Sequence, residues 1–172
     1  VEPGQRFSVA VEAERGVTPA VIGMLSNPIL AFREQPPFTF SVSYPADVAL
    51  GRKKLIAQGR DARDRELGAE ITLHVETATP VKSIGVTTAP FFLPPERAIS
   101  VFGVFADGAE REVTRSRETR FSSSNTRVAS VTADGVIEAL DNGTATITAT
   151  YKNQSFSFPV KVNFKKLSVP IK

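Results

Sequence analysis

The run Arg60-Asp61-Ala62-Arg63-Asp64-Arg65-Glu66 is the densest polar cluster in this chain of 172 residues. Asp61, Asp64 and Glu66 offer the hard oxygen atoms of which calcium takes six to eight. Arg60, Arg63 and Arg65 stand between them and oppose a cation, so the run reads better as a solvated, internally paired hairpin tip, or as a charged contact site on a loop. His74 is the one histidine, and any Ser-His-Asp arrangement would have to use it. Its place between Leu73 and Val75 in an alternating run turns its side chain away from the apolar face, towards solvent. No Gly-x-Ser-x-Gly elbow, phosphate loop or His-Glu-x-x-His stands beside it. With no cysteine, the chain has no disulfide framework, thiolate zinc site or cysteine nucleophile, and a single histidine makes no multi-histidine metal cage. No catalytic residue, metal or cofactor is expected.

Two further groups of residues carry binding chemistry. Arg111, Arg115, Arg117, Arg120 and Arg127 form a basic stretch suited to phosphate or an acidic polysaccharide, but Glu110, Glu112 and Glu118 dilute it and no aromatics interleave it for base stacking. It reads as a solvated face, and nucleic acid is not an expected partner. Phe91-Phe92-Leu93 before Pro94-Pro95 is the most apolar loop-like stretch, with Gln35-Pro36-Pro37-Phe38 as its counterpart. Such residues plug the end of a sandwich or a domain seam; exposed, they would mark a partner site. The net charge of +3 is divided unevenly, with nine Lys/Arg against ten Asp/Glu in residues 1–79 and twelve against eight in residues 80–172. No apolar run approaches the ~18 residues of a membrane helix, so no membrane insertion of this segment is expected.

The elements that must position these residues follow from a period of two, as in Phe7, Val9, Val11 or Ile71, Leu73, Val75. Apolar runs of five to nine residues are cut by Pro and Gly breaks, among them Asp107-Gly108, Asp134-Gly135 and Asn142-Gly143, which favour tight hairpins. Strands are expected near 5–14, 19–25, 29–33, 37–44, 53–60 and 68–77, then near 81–88, 98–106, 118–123, 128–132, 135–139, 143–151 and 155–163. Ala46–Leu50 allows one helical turn at most. The fold class is all-β: two tandem immunoglobulin-like β-sandwiches over residues 1–79 and 80–164, with 165–172 as linker or tail. Core positions are expected at Phe7, Val9, Val11, Phe40, Val42, Leu55, Ile71, Leu73, Val75, Ile99, Val101, Phe121, Val131, Ile147 and Val160.

The second half also resembles the group-two bacterial immunoglobulin-like domain. The resemblance is carried in order by Phe105-Ala106-Asp107-Gly108, Glu112-Val113-Thr114, Phe121-Ser122-Ser123-Ser124-Asn125, Val128-Ala129-Ser130-Val131, Asp134-Gly135-Val136-Ile137 and Asn142-Gly143-Thr144-Ala145-Thr146-Ile147-Thr148-Ala149. Phe121 stands where that family often has Trp, exchanging one buried aromatic for another. Residues 1–79 are similar in outline to another bacterial module of this kind, through Pro3-Gly4-Gln5, Phe38-Thr39-Phe40-Ser41-Val42 and Tyr44-Pro45-Ala46-Asp47.

The resemblance implies a repeated module of exported or cell-surface bacterial proteins, placed outside the cell, on its surface or in the periplasm. The expected role is non-catalytic, as a structural spacer or an adhesive domain of a larger protein. An accessory pair attached to an exported enzyme is the alternative. The partner would be a protein or glycan surface met through Arg60, Arg63 and Arg65 or through Phe91 and Phe92. The segment is expected to be monomeric within a longer chain, as its start at Val1 rather than Met suggests.

Overall fold

Alternation puts every second side chain on one face of an extended strand, and it is the alternating runs that become strands here. The computed structural model describes residues 1–26, 29–88 and 96–164, and every helix or strand element among them is a β-strand. The chain divides into two compact units, Val1–Ala78 and Thr79–Lys172. The expected tail at 165–172 lies outside the described residues.

The first unit holds β1 (Arg6–Ala10), β2 (Pro19–Ser26), β3 (Ile29–Arg33), β4 (Thr39–Ser43), β5 (Gly51–Asp61) and β6 (Glu66–Val75). β1 pairs with β4, and a four-stranded antiparallel sheet runs β3-β2-β5-β6. Ile22, Met24, Leu55 and Ala57 of the larger sheet bury against Phe40 and Val42 of β4, with Phe7 and Val9 of β1 packed on them. Tyr44 closes one end: its ring stacks on Phe7 at 6.1 Å, and its hydroxyl shares a 2.8 Å hydrogen bond with Ser26 Oγ. The polar tip of the buried ring is thereby satisfied.

One expected core position fails. Ile71 shares the inward side of β6 with Leu73 and Val75 but is 46% exposed. β6 is the edge of a four-stranded sheet facing a partner of only two strands, and the middle of that edge overhangs the cover.

The second unit holds β7 (Val81–Thr88), β8 (Glu96–Phe105), β9 (Glu110–Glu112), β10 (Thr119–Ser123), β11 (Ala129–Val131), β12 (Val136–Ala139), β13 (Gly143–Tyr151) and β14 (Gln154–Val162). One sheet runs β11-β12-β8-β7 with β9 also on β8; the other runs β10-β13-β14. Ile99, Ala129 and Ile137 of the first face Ala145, Ile147 and Val162 of the second. Along β13, Ala145, Ile147 and Ala149 are buried while Thr144 and Thr146 are exposed, as the alternation requires. Thr148 and Thr150 pair on the outside with Ser157 and Ser155 of β14, at 2.8 and 3.1 Å. The Asp134-Gly135 turn works because Gly135 adopts φ of 77°, where a Cβ would also meet Thr114 Cγ2 at 2.9 Å.

Candidate functional site

The charged run is the hairpin between β5 and β6, and its carboxylates do not converge. Asp61, at the end of β5, points inward and is only 5% exposed. Its Oδ1 accepts the backbone N–H groups of Arg63 at 2.8 Å and Arg65 at 2.9 Å. Its Oδ2 accepts Nε and Nη2 of Arg65, both at 2.7 Å. Four donors thus fill the oxygen atoms that a cation would need. Asp64 sits at φ of 64° on the exposed tip and pairs with Arg60 at 2.7 Å, while Glu66 is exposed opposite Arg60. Among the described residues no group of three or more His, Asp or Glu side chains is placed to hold a metal ion.

The electrostatics follow from these bonds. The Arg65 backbone N–H, then the Arg65 side chain and the Arg63 N–H, hold the Asp61 carboxyl below the usual carboxylate range against the opposing effect of burial. Hydrogen bonding to Asp64, and then its charge, raises Arg60. Because the folded Asp61 value is depressed, its contribution to stability is present above its unfolded value of about 3.9 and is lost as pH falls through the folded one. Asp61→Asn is therefore expected to lower the thermal midpoint at pH 7, to flatten its decline below about pH 4, and to leave the absence of any calcium-dependent rise unchanged. Melting curves of both proteins at the two pH values, with and without calcium, check this. A calcium-dependent rise in the parent chain that the substitution abolishes would overturn the turn-closing role.

The basic stretch of the second unit is not one face. Arg111 is 5% exposed, an inversion of the expected solvated position. Its guanidinium forks onto Asp107 at 2.7 and 3.2 Å and lies 4.9 Å over the Phe105 ring. That fork is also the main reason the Asp107 carboxyl is held below its ordinary value. Arg120 bonds the carbonyl oxygens of Arg117 and Thr119, and Arg115 approaches Asp134 at 3.8 Å. These arginines secure turns.

His74 also departs from expectation. It is half-buried, and its Nδ1 is enclosed without a hydrogen-bond partner among the described residues. The amino-terminal residue runs along the same edge of β6: the Val1 ammonium donates to the His74 carbonyl at 3.0 Å and the Val1 carbonyl accepts from the Glu76 N–H at 3.0 Å. Phe91 and Phe92 lie outside the described residues. Phe38, of the counterpart stretch, is 8% exposed and belongs to the core, while Pro36 and Pro37 are exposed. A feature that sequence reasoning missed is the outward pair Leu30 and Phe32 on β3, each 63% exposed. The signal was available, because Ile29-Leu30-Ala31-Phe32 is apolar at every position and so must be apolar on both faces.

Facing antiparallel sheets around one core in each unit, with Asp-Gly hairpins in the second, define β-sandwiches of the immunoglobulin kind. Residues 106–162 match the family described as bacterial Ig-like domain (group 2), within the span where the resemblance was read. No curated protein matches the chain. Among solved structures it is similar to the apo structure of Bacteroides uniformis β-glucuronidase 3, at 12% identity and a TM-score of 0.43, covering 94% of this chain and 23% of that one. It is similar also to the Clostridium thermocellum CbhA fibronectin(III)-like modules, at 12% identity and a TM-score of 0.38, covering 94% and 87%. A third likeness is to the surface layer protein SbsC, domains 1–6, at 15% identity and a TM-score of 0.38, covering 88% and 22%. The chain thus spans under a quarter of the glucuronidase's length.

Proposed function

We propose that the chain is a non-catalytic pair of immunoglobulin-like modules within a larger exported bacterial protein, acting as a spacer that presents an interaction surface. The observation that carries this reading is the pair of β-sandwich units, the second of which matches the bacterial Ig-like domain (group 2) over residues 106–162. The charged hairpin tips fit it, because Asp61 and Asp107 are each bound by neighbours that close their own turn. The group-two match supports placement outside the cytoplasm. Such a module acts through geometry: ladders of backbone hydrogen bonds resist extension, and the surfaces they hold out meet the partner.

The test follows the parent protein in its own cell with an antibody raised against residues 1–164. The expected result is signal in the periplasmic, surface or secreted fraction. Replacement of the pair by a Gly/Ser linker of equal reach should then abolish attachment and leave any activity carried elsewhere on the chain intact. Signal confined to the cytoplasm would sink the proposal. Loss of an attached enzyme's activity with attachment intact would favour the accessory role instead.

A further inference from the structure

We propose that the outer face of the four-stranded sheet in the first unit, centred on Phe32, is a binding platform for a neutral oligosaccharide chain. Registers across the sheet align Phe32 of β3 with Gly23 of β2, Gly23 with Gln58 of β5, and Gln58 with Gly68 of β6. Two of the four positions in this row carry no side chain, so the sheet floor is bare on either side of Gln58. One edge of the Phe32 ring covers the floor at Gly23: a Cβ there would stand 2.8 and 2.9 Å from ring carbons Cε1 and Cδ1. One part of the ring is therefore sealed against backbone, and the residue still leaves 63% of its surface in water. A flat aromatic held open in this way suits the apolar C–H face of a pyranose.

Phe32 is also the shared wall of two grooves. One, of about 510 Å³, is edged by Gln58, Arg60 and Glu66; the other, of about 660 Å³, is edged by Arg33, Glu34 and Gln35. Both volumes fall in the range of small-molecule sites. Arg60 is already held by Asp64 at 2.7 Å, so with Glu66 that side of the ring carries a net negative charge, which repels a phosphate or an acidic polymer, while the exposed Gln58 offers a donor and an acceptor for hydroxyl groups. Two grooves continuing from one ring fit a chain of sugars better than a single one. An extended peptide added to the edge of β3 would use the β3 backbone and leave Gln58, two strands away, untouched.

This inference names the ligand of the interaction surface proposed above and rests on that reading. The test titrates the full 172-residue chain, followed by amide chemical shifts, with neutral hexaoses of β-1,4-glucose, β-1,4-xylose, β-1,4-mannose and α-1,4-glucose up to about 10 mM, a range suited to weak sites. Polygalacturonate serves as the acidic control. At least one neutral hexaose is expected to move the amides of residues 30–33, 58–60 and 66–68. Phe32→Ala should weaken that binding at least tenfold. Because Phe32 also covers Gly23, Gln58→Ala is the second variant: it is exposed, should leave the melting temperature unchanged, and should weaken binding several-fold. No shift with any neutral hexaose, shifts insensitive to both variants, or binding confined to polygalacturonate and abolished by salt would each overturn the platform. A dimer that Phe32→Ala converts to monomer, with no response to sugar, would overturn it in favour of a second copy. An exported parent protein with no sugar response would leave the proposed function standing and remove only this inference.

Discussion

Gly59→Ala is expected to destabilise the first unit by about 3 kcal/mol, the upper end of what one added methyl costs in a packed interior. Gly59 lies on β5 opposite Ile22 of β2, beside the register shift between Pro19 and Val21. A Cβ built there overlaps the carbonyl oxygen of Val21 and stands 2.8 Å from Ile22 Cδ1. The isoleucine tip can rotate away, but the carbonyl belongs to the neighbouring strand and moves only if β2 separates from β5. These are the two central strands of the sheet, and Ile22, Met24, Leu55 and Ala57 of the core all sit on them. Native-state hydrogen exchange of the full chain reads the effect by unit: amides of β2 and β5 should exchange about two orders of magnitude faster, with those of β13 and β14 unchanged. Gly68→Ala is the control. Its Cβ would meet nothing nearer than the Ala57 carbonyl oxygen at 4.0 Å, and it should be neutral or slightly stabilising. Unchanged protection in Gly59→Ala would show that the bulge absorbs a methyl and that close strand approach is not what selects glycine there.

Gly59 also shows where sequence reading stops. An interior strand glycine points to a bulge or a close approach, but which backbone atom approaches depends on a strand some forty residues earlier. Most of the strand pattern was legible, because alternation survives translation into burial wherever a sheet is fully covered. It failed at Ile71, where the inward side of an edge strand outruns the facing sheet, and at β9, where Glu110-Arg111-Glu112 contains no apolar residue to announce a strand. The charged hairpin was legible as a hairpin and not as a site. Asp61 is turned inward by backbone N–H groups that every residue type carries, whereas Asp64 sits at positive φ on the tip, and neither difference is written in the residue type. Arg111 was hidden for a related reason. Counted with its neighbours it belongs to a basic stretch, whereas the pairing of β9 with β8 puts it opposite Gly103, beside the ring of Phe105.

That ring carries the other large expectation. Phe105→Ala should cost the second unit about 4 kcal/mol, as truncation of a fully buried phenylalanine does. Phe105 has no exposed surface; it meets Tyr151 edge to face at 6.1 Å, and the Arg111 guanidinium lies 4.9 Å from its centroid. Removal of the ring leaves a cavity against Tyr151 and strips a desolvated cation of the π-face that helps compensate its burial. Phe105→Leu separates these contributions. It restores most of the apolar volume and withdraws the quadrupole, so its cost should fall to about 1–2 kcal/mol. A cycle with Arg111→Met then measures the ring–cation coupling, expected near 1 kcal/mol. Urea denaturation followed by circular dichroism gives the stabilities, and exchange at β8 and β13 assigns them to this unit. Zero coupling would mean that the ring adds nothing to the hold that the fork on Asp107 has on Arg111. A measurable coupling would tie the Asp107-Gly108 hairpin to the core beneath it, so that the turn is fixed from below by an aromatic as well as from within by its own hydrogen bonds.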